Sequence, residues 1–473
     1  MSSVMWFRKD LRLSDNKALA KACAESNELI LFFQINPKQF IPGSPNHQAF
    51  FSSLAYFKKQ LDKHYHLHIH FGDPIDSFKA LLKAVPSVTD IYFNTEETGY
   101  GAKRDQQARI FFKEKNITIH ESLDGYLHDA EEIKRNGTDY YKVYTPYYKK
   151  WIETSKEKPI KVDMNNITIR RLILFEFEEK KFNEFLRSLP ELDVKVLGEK
   201  ASKKRLDDFL KYDLEKYEQQ RDFPELNKTS RISRYLRTGE LSIRTVWESL
   251  QASSNSNGKT AFEKELCWRD FYHMIYVAFP NQKEESIQEN YRNIEWENNR
   301  ECFQKWQAGQ TGYPIVDAAM RQLKKTGWMH NRLRMITASF LTKDLLIDWR
   351  WGEKYFQQML HDYDSASNIG GWQWAASTGT DAVPYFRIFN PTTQSEKFDK
   401  YGNFIREFVP ELYSLPEKWI HQPENMTIDQ QKEYGVVIGK DYPFPIVNHK
   451  EQRKLALTKY EFSKKSIQEI KKK

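Results

Sequence analysis

Short apolar runs separated by stretches of helical period dominate the first 125 residues. Positions 4–7 (VMWF) are followed by a helical pattern over 16–24, with Ser14 or Asp15 placed to cap it. Positions 29–35 (LILFFQI) form a continuous apolar run, as expected of a strand covered on both faces. A helix-length segment spans 46–63. Positions 66–71, 90–94 and 117–120 supply three more strands with helical patterns between them. Strands spaced by helices imply a parallel sheet with right-handed crossovers, so a Rossmann-like α/β domain is expected over 1–125. The alternation of His64, His66, His68 and His70 admits a metal reading. It is read instead as a polar strand face with Leu67, Ile69 and Phe71 turned inward, and no metal site is assigned.

From Gly125 the periodicity fades, and 126–192 is expected to be a connector wrapping one domain onto the other. From about Asp193 to the end the pattern is helical. Helices are expected over 206–219, 230–237, 243–250, 260–278, 316–325, 329–348 and 354–360, with a frayed basic tail at IQEIKKK. The expected architecture is an α/β domain followed by a larger all-α domain over 193–473.

The turn after the first strand, Arg8-Lys9-Asp10-Leu11-Arg12, has no glycine, so the usual dinucleotide fingerprint is absent. Gly99-Tyr100-Gly101 lacks the third glycine and reads as a turn, with room for a small anion at the helix start. No run of 18 apolar residues exists, so no membrane span is expected. Cys23, Cys267 and Cys302 are too scattered for a disulfide framework or a zinc site, which fits a reducing cytoplasm. A net charge of +8 permits a polyanionic partner without requiring one.

Nine of the twelve tryptophans lie between Trp247 and Trp374, five of them in the window 328–391. An aromatic helical core would account for that; the polar residues among the rings point further. Glu265, Trp268 and Arg269 share one helix face, which in isolation is an ion pair beside a core indole. Asn331 and Met335 are four apart, with Arg332 and Arg334 beside them. Two such faces suit a cavity for a flat, polar, anionic guest. Thr229-Ser230-Arg231-Ile232-Ser233 places hydroxyls at a helix start, an ordinary cap or a phosphate cradle, with Tyr217 and Arg221 just upstream.

The segments QQRDFPELNKTSRIS, ELCWRDFY, TGYPIVDAAMRQL, TGWMHNRLRMITASFLTKDLLIDWR and NIGGWQWAASTGTDAVPYFRIFNP resemble the photolyase/cryptochrome family. The likeness is greatest to the class I cyclobutane pyrimidine dimer photolyases of bacteria and runs over nearly the whole chain. It implies a light-driven DNA repair lyase with FAD, in which excited reduced flavin donates an electron to a flipped-out dimer; cryptochrome-type signalling is the alternative. Tyr217, Thr229, Ser230, Arg231, Ile232, Ser233, Arg334, Asp362, Tyr363, Asp364 and Asn368 then match FAD-binding positions, with Asn368 beside flavin N5. Glu265, Asn331 and Met335 match lesion contacts, and Trp268 and Trp374 the rings packed against the dimer. Arg221, Arg269, Arg332 and Arg387 resemble DNA-contacting arginines. Trp372, Trp349 and Trp296 match an electron-hopping chain, while Trp328 and Trp351 have no role beyond packing.

The resemblance also implies that Glu265 is protonated when the lesion is bound. It further implies an antenna chromophore, a reduced folate or a deazaflavin. Lys283 matches a folate contact, but Tyr100 and Gly101 stand where folate-binding relatives carry Asn and Glu, and the region of Gly43 differs too. UV-damaged DNA is the expected partner, and a monomer the expected state. The segment 330–335 (HNRLRM) lacks the histidine pair of a (6-4) photolyase, and no nicotinamide fingerprint supports a generic oxidoreductase.

Overall fold

Alternate residues of the apolar run at 29–35 feed two different cores. The computed structural model describes residues 2–172, 175–187 and 193–470. In it, β1 (Ser2–Phe7), β2 (Glu28–Ile35), β3 (Leu67–Phe71), β4 (Val88–Asn94) and β5 (Thr118–Ser122) form a parallel sheet in the order β3-β2-β1-β4-β5. Met5, Phe7, Leu29, Leu31 and Phe33 enter one apolar cluster, and Val4, Trp6, Ile30 and Phe32 the other. The strand period of two sends successive side chains to opposite faces, and both faces are covered. Helices α1 (Lys17–Glu25), α2 (Pro45–Leu61), α3 (Pro74–Ala84) and α4 (Gly99–Glu114) alternate with the strands.

Three expectations change here. The cap of α1 is Asn16, whose side chain accepts from Leu19 N–H, not Ser14 or Asp15. Asp15 sits at φ 48° and turns its carboxylate to Arg244. The histidine face of β3 is not a solvent face: His68 is fully buried, because both sides of a parallel sheet are packed. The anion beside the start of α4 is the chain's own, since the Glu96 carboxylate lies against Gly101 and pairs with Lys9 and Arg104.

The segment read as a connector is more ordered than its periodicity suggests. It carries α5 (Tyr144–Glu153), then β6 (Thr168–Ile169), which joins β2, and α6 (Glu176–Arg187), which packs on β3. The end of that segment, 188–192, lies outside the described residues, as does 471–473.

Helices follow: α7 (Gly198–Tyr212), α8 (Tyr217–Gln220), α9 (Ser233–Thr238), α10 (Ile243–Gln251), α11 (Asn257–Ala278), α12 (Arg300–Ala308), α13 (Pro314–Thr326), α14 (Asn331–Ser339), α15 (Trp349–Met359) and α16 (Ser365–Ala375). The single helix expected over 206–219 is broken. Gly258 of α11 packs so tightly on the intervening turn that a Cβ there would lie 1.8 Å from the Leu214 carbonyl oxygen. The helix expected from 230 starts at Ser233, since Arg231 takes φ 51°. The one expected over 329–348 gives way to a π turn at Phe340–Asp344. Residues 467–470 of the expected tail are helical, the last turn of the helix His449–Ile470. Buried Tyr460 anchors that helix by donating to the Ala376 carbonyl at 2.6 Å.

The α/β part and the helices meet across buried charge. Arg244 of α10 binds Asp15 at 2.8 Å and Asp124 at 2.7 Å, and Arg12 also pairs with Asp124. Burial alone would raise the Asp124 carboxyl; Arg12 and Arg244 outweigh it and hold it below its usual range. Gly239 allows the close approach, since a Cβ there would lie 2.2 Å from the Lys9 carbonyl oxygen.

Candidate active site

A cleft of about 510 Å³ opens among α8, α9, α11, α14 and α16. Of the residues matched to FAD, lesion, DNA or electron-hopping positions, Trp296, Trp349 and Arg387 are not in its wall; all the others are.

One part of the wall is built from charge held in place by charge. Arg334 on α14 grips Asp362 through two contacts of 2.8 and 3.0 Å and donates to the Met329 carbonyl at 2.9 Å. The Ser233 hydroxyl donates to Asp362 at 2.7 Å. Arg205 donates to the carbonyls of Ser230 and Thr229, fixing the strained turn at Arg231, whose guanidinium lies over Trp328. Asp364 caps α16 by accepting from Ser367 N–H. Burial would raise its carboxyl, but Arg269 and the cap bond keep it low. Arg237 donates to the Tyr363 carbonyl at 2.9 Å, and burial pushes its guanidinium down to about 10.

The nearby Asn368 side chain donates to the carbonyl and the carboxylate of Glu353, at 3.3 and 3.2 Å. That assigns its NH₂ group and leaves its amide oxygen uncommitted. Glu353, buried, also accepts from Tyr363 O–H at 2.8 Å. It is a functional candidate that the sequence reading missed, because its position on α15 carried no motif of its own.

The other part of the wall is aromatic and more open. Trp268 stacks on Tyr144, centroids 3.7 Å apart and planes within 2°. Trp374, Tyr217 and Met335 line the same space, with exposed Asn331 at the start of α14. Glu265 accepts from Arg221 at 2.6 Å, and Arg332 pairs with Asp222 at 2.8 Å. The protonated Glu265 expected from the resemblance is met here as the acceptor of a guanidinium, so the donor role requires that pair to open.

Arg269, one of the arginines matched to DNA contacts, lines the cleft while reaching toward the α/β domain. It donates to the Gly125 carbonyl, lies over Tyr126 at 4.3 Å and lines both the cleft and a smaller cavity of about 90 Å³ between the two parts of the chain. Arg387 is exposed and lies outside the cleft.

Among the three expected hopping indoles, Trp372 and Trp349 are buried in one apolar cluster. Trp296 is half-buried, edge-on to Tyr460 at 6.2 Å. The indole in ring contact with Trp372 is Trp306, at 6.2 Å. Trp306 is fully buried in the same apolar cluster.

The wall contains buried polar atoms without partners: Thr229 Oγ1, Arg237 Nη1 and Trp372 Nε1. Such atoms are costly unless a ligand satisfies them. A hydroxyl and arginines beside paired acids fit a cofactor with phosphates, hydroxyls and a flat ring.

Family comparison agrees. Residues 3–164 match the family model for DNA photolyase, and residues 262–462 that for the FAD-binding domain of DNA photolyase. The chain is 44% identical over 464 residues to a deoxyribodipyrimidine photo-lyase of Alkalihalophilus pseudofirmus, covering 96% of each protein. The chain belongs to the DNA photolyase family. Among solved structures, a bacterial class III photolyase from Agrobacterium tumefaciens superimposes with a TM-score of 0.89 at 34% identity, covering 98% of both chains. An archaeal photolyase from Sulfolobus tokodaii, solved with two FAD molecules, gives 0.84 at 31% identity over 98% of this chain and 100% of that one. As a photolyase, the chain has the α/β domain and the mostly helical FAD domain of the family. No helix among the described residues is long and apolar enough to cross a membrane.

Proposed function

We propose that this photolyase repairs UV-damaged DNA in the cytoplasm as a monomer, splitting cyclobutane pyrimidine dimers in a light-dependent reaction. The observation that carries this reading is one cleft with two walls, a charged one suited to FAD and an aromatic one suited to a flipped-out pyrimidine dimer. When bound, FAD supplies the light-driven electron donation. Thr229 to Ser233, Arg334, Asp362 and Asp364 would hold it, and Asn368 would offer its free amide oxygen to the ring.

The protein's share is position and electrostatics. Trp268 and Trp374 replace the stacking that a flipped dimer loses. Arg332 and Arg221 attract the flanking phosphates. A phosphate that draws Arg221 away frees Glu265, which can then take up a proton and donate to a pyrimidine carbonyl, with Asn331 as a second donor. Met335 fills the apolar space between them. Arg387 would contact DNA from outside the cleft. A second chromophore, a folate, a deazaflavin or another flavin, is proposed for the α/β domain; the two FAD molecules of the Sulfolobus relative support the last.

The test is incubation of reduced, FAD-loaded protein with dimer-containing oligothymidine under blue light and in the dark. Dimer loss in the light alone is expected; equal dimer content in both would end this reading. Glu265→Ala should lower the repair yield with FAD retained, and a colourless protein would mean the residue is structural. Trp296→Phe should slow photoreduction of oxidised FAD severalfold while repair by pre-reduced enzyme stays intact. Equal loss of both activities would contradict its place in an electron path.

A further inference from the structure

Far from the cleft in sequence and lining, at the β3 edge of the sheet, His66, His68 and Glu179 converge. One ligand atom from each lies within 4.8 Å of the others. We propose that this set binds one divalent transition-metal ion, Zn²⁺ by its ligand chemistry, and that the ion fastens α6 to β3.

The argument begins with an unsatisfied nitrogen. His68 is fully buried, yet its Nδ1 has no hydrogen-bond partner. Its Nε2 lies 3.3 Å from the Arg170 carbonyl oxygen and 3.2 Å from Leu172 N. Leu172 N–H donates to Nε2 only in the tautomer that protonates Nδ1; the tautomer that donates from Nε2 to the Arg170 carbonyl keeps a lone pair on Nδ1, and a bound cation would select it. Metal-binding histidines are oriented in this way.

The neighbours fit the same assignment. His66 Nε2 lies 2.6 Å from Glu179 Oε1, so two of the three donors already meet, and the Asp62 carboxylate stands 3.7 Å from Nδ1. His70, next on the same strand face, is already bonded to Ser77 at 2.9 Å. Lys58 is the competing cation. Its ammonium is held by Asp62 at 2.8 Å and by the Leu67 carbonyl at 2.9 Å, and stands 3.8 Å from Glu179. Asp62 and Glu179 against Lys58 leave one net negative charge for an incoming dication.

Two imidazoles and a carboxylate select Zn²⁺, Co²⁺ or Ni²⁺ over Mg²⁺ or Ca²⁺, which prefer oxygen alone. Zinc draws such donors to about 2.0–2.2 Å and leaves a fourth position for water. The ligands come from β3, from the residue before it and from α6, so the ion would tie the returning chain segment to the sheet.

The experiment uses the FAD-loaded protein, stripped with chelator and titrated with ZnCl₂ by calorimetry, with MgCl₂ as the control. One zinc per chain is expected, with affinity lower by about tenfold or more in His66→Gln and in Glu179→Gln, and FAD content and photoreduction unchanged. Zinc should raise the Tm of the wild type by more than that of either variant. X-ray absorption at the zinc edge of the wild type should show imidazole ligation, which is independent of how the variants fold. Absence of stoichiometric binding, binding of equal strength in the variants, or a spectrum without imidazole would each overturn the proposal.

Discussion

Arg244→Met is expected to lower the stability of the folded chain by about 3–5 kcal/mol, the cost of leaving a buried charge without its partner. Arg244 is 2% exposed and faces two carboxylates that are themselves 4% and 3% exposed. Removing the guanidinium leaves Asp15 with Thr245 and the Ile160 N–H, and Asp124 with Arg12 and the Lys17 N–H. The measurement is the thermal or denaturant midpoint, followed together with release of FAD. Adding Asp15→Asn to Arg244→Met should recover part of the loss, because it removes the stranded charge. A loss below about 1 kcal/mol would show that the arginine is dispensable and that the domain contact rests on its apolar neighbours.

Trp268→Ala should weaken dark binding of dimer-containing DNA by about 1–3 kcal/mol, or roughly 5- to 150-fold, the usual worth of one base–aromatic stack. The ring contacts of this residue are with Tyr144, Phe271 and Tyr272, none of them assigned to FAD, so the protein should stay coloured. The check is a filter-binding or anisotropy titration with damaged and undamaged oligonucleotides at one salt concentration, since the phosphate contribution changes with salt. Equal affinity for both DNAs in the wild type, or an unchanged Kd in the variant, would remove Trp268 from the lesion wall.

Much of this site is visible in the order of residues alone, and the reason is local. Glu265, Trp268 and Arg269 lie on one helix, as do Asn331 and Met335, so helical spacing already puts each set on one face. Long apolar runs made β1, β2 and β4 legible for the same reason. Where a residue's role depends on another element, the reading failed or stayed silent. Ser14 and Asp15 are good caps by type, yet Arg244, more than two hundred residues away, claims Asp15 and leaves the cap to Asn16. His68 reads as an outward strand residue, but α6 and the segment before it cover that face. Glu353 has no local signature; its bonds to Asn368 and Tyr363 give it its importance.

By itself, then, the sequence determined the fold class, the family and which side chains share a helix face, since these depend on period, propensity and motifs a few residues apart. Tertiary structure alone decided that those faces meet in one cleft, that Arg221 holds Glu265 and that Arg269 turns toward the α/β domain. It also decided that the chain between the domains returns to the sheet to enclose two histidines. Burial and charge pairing act through space, and the partner that satisfies a buried group is set by packing rather than by its distance along the chain.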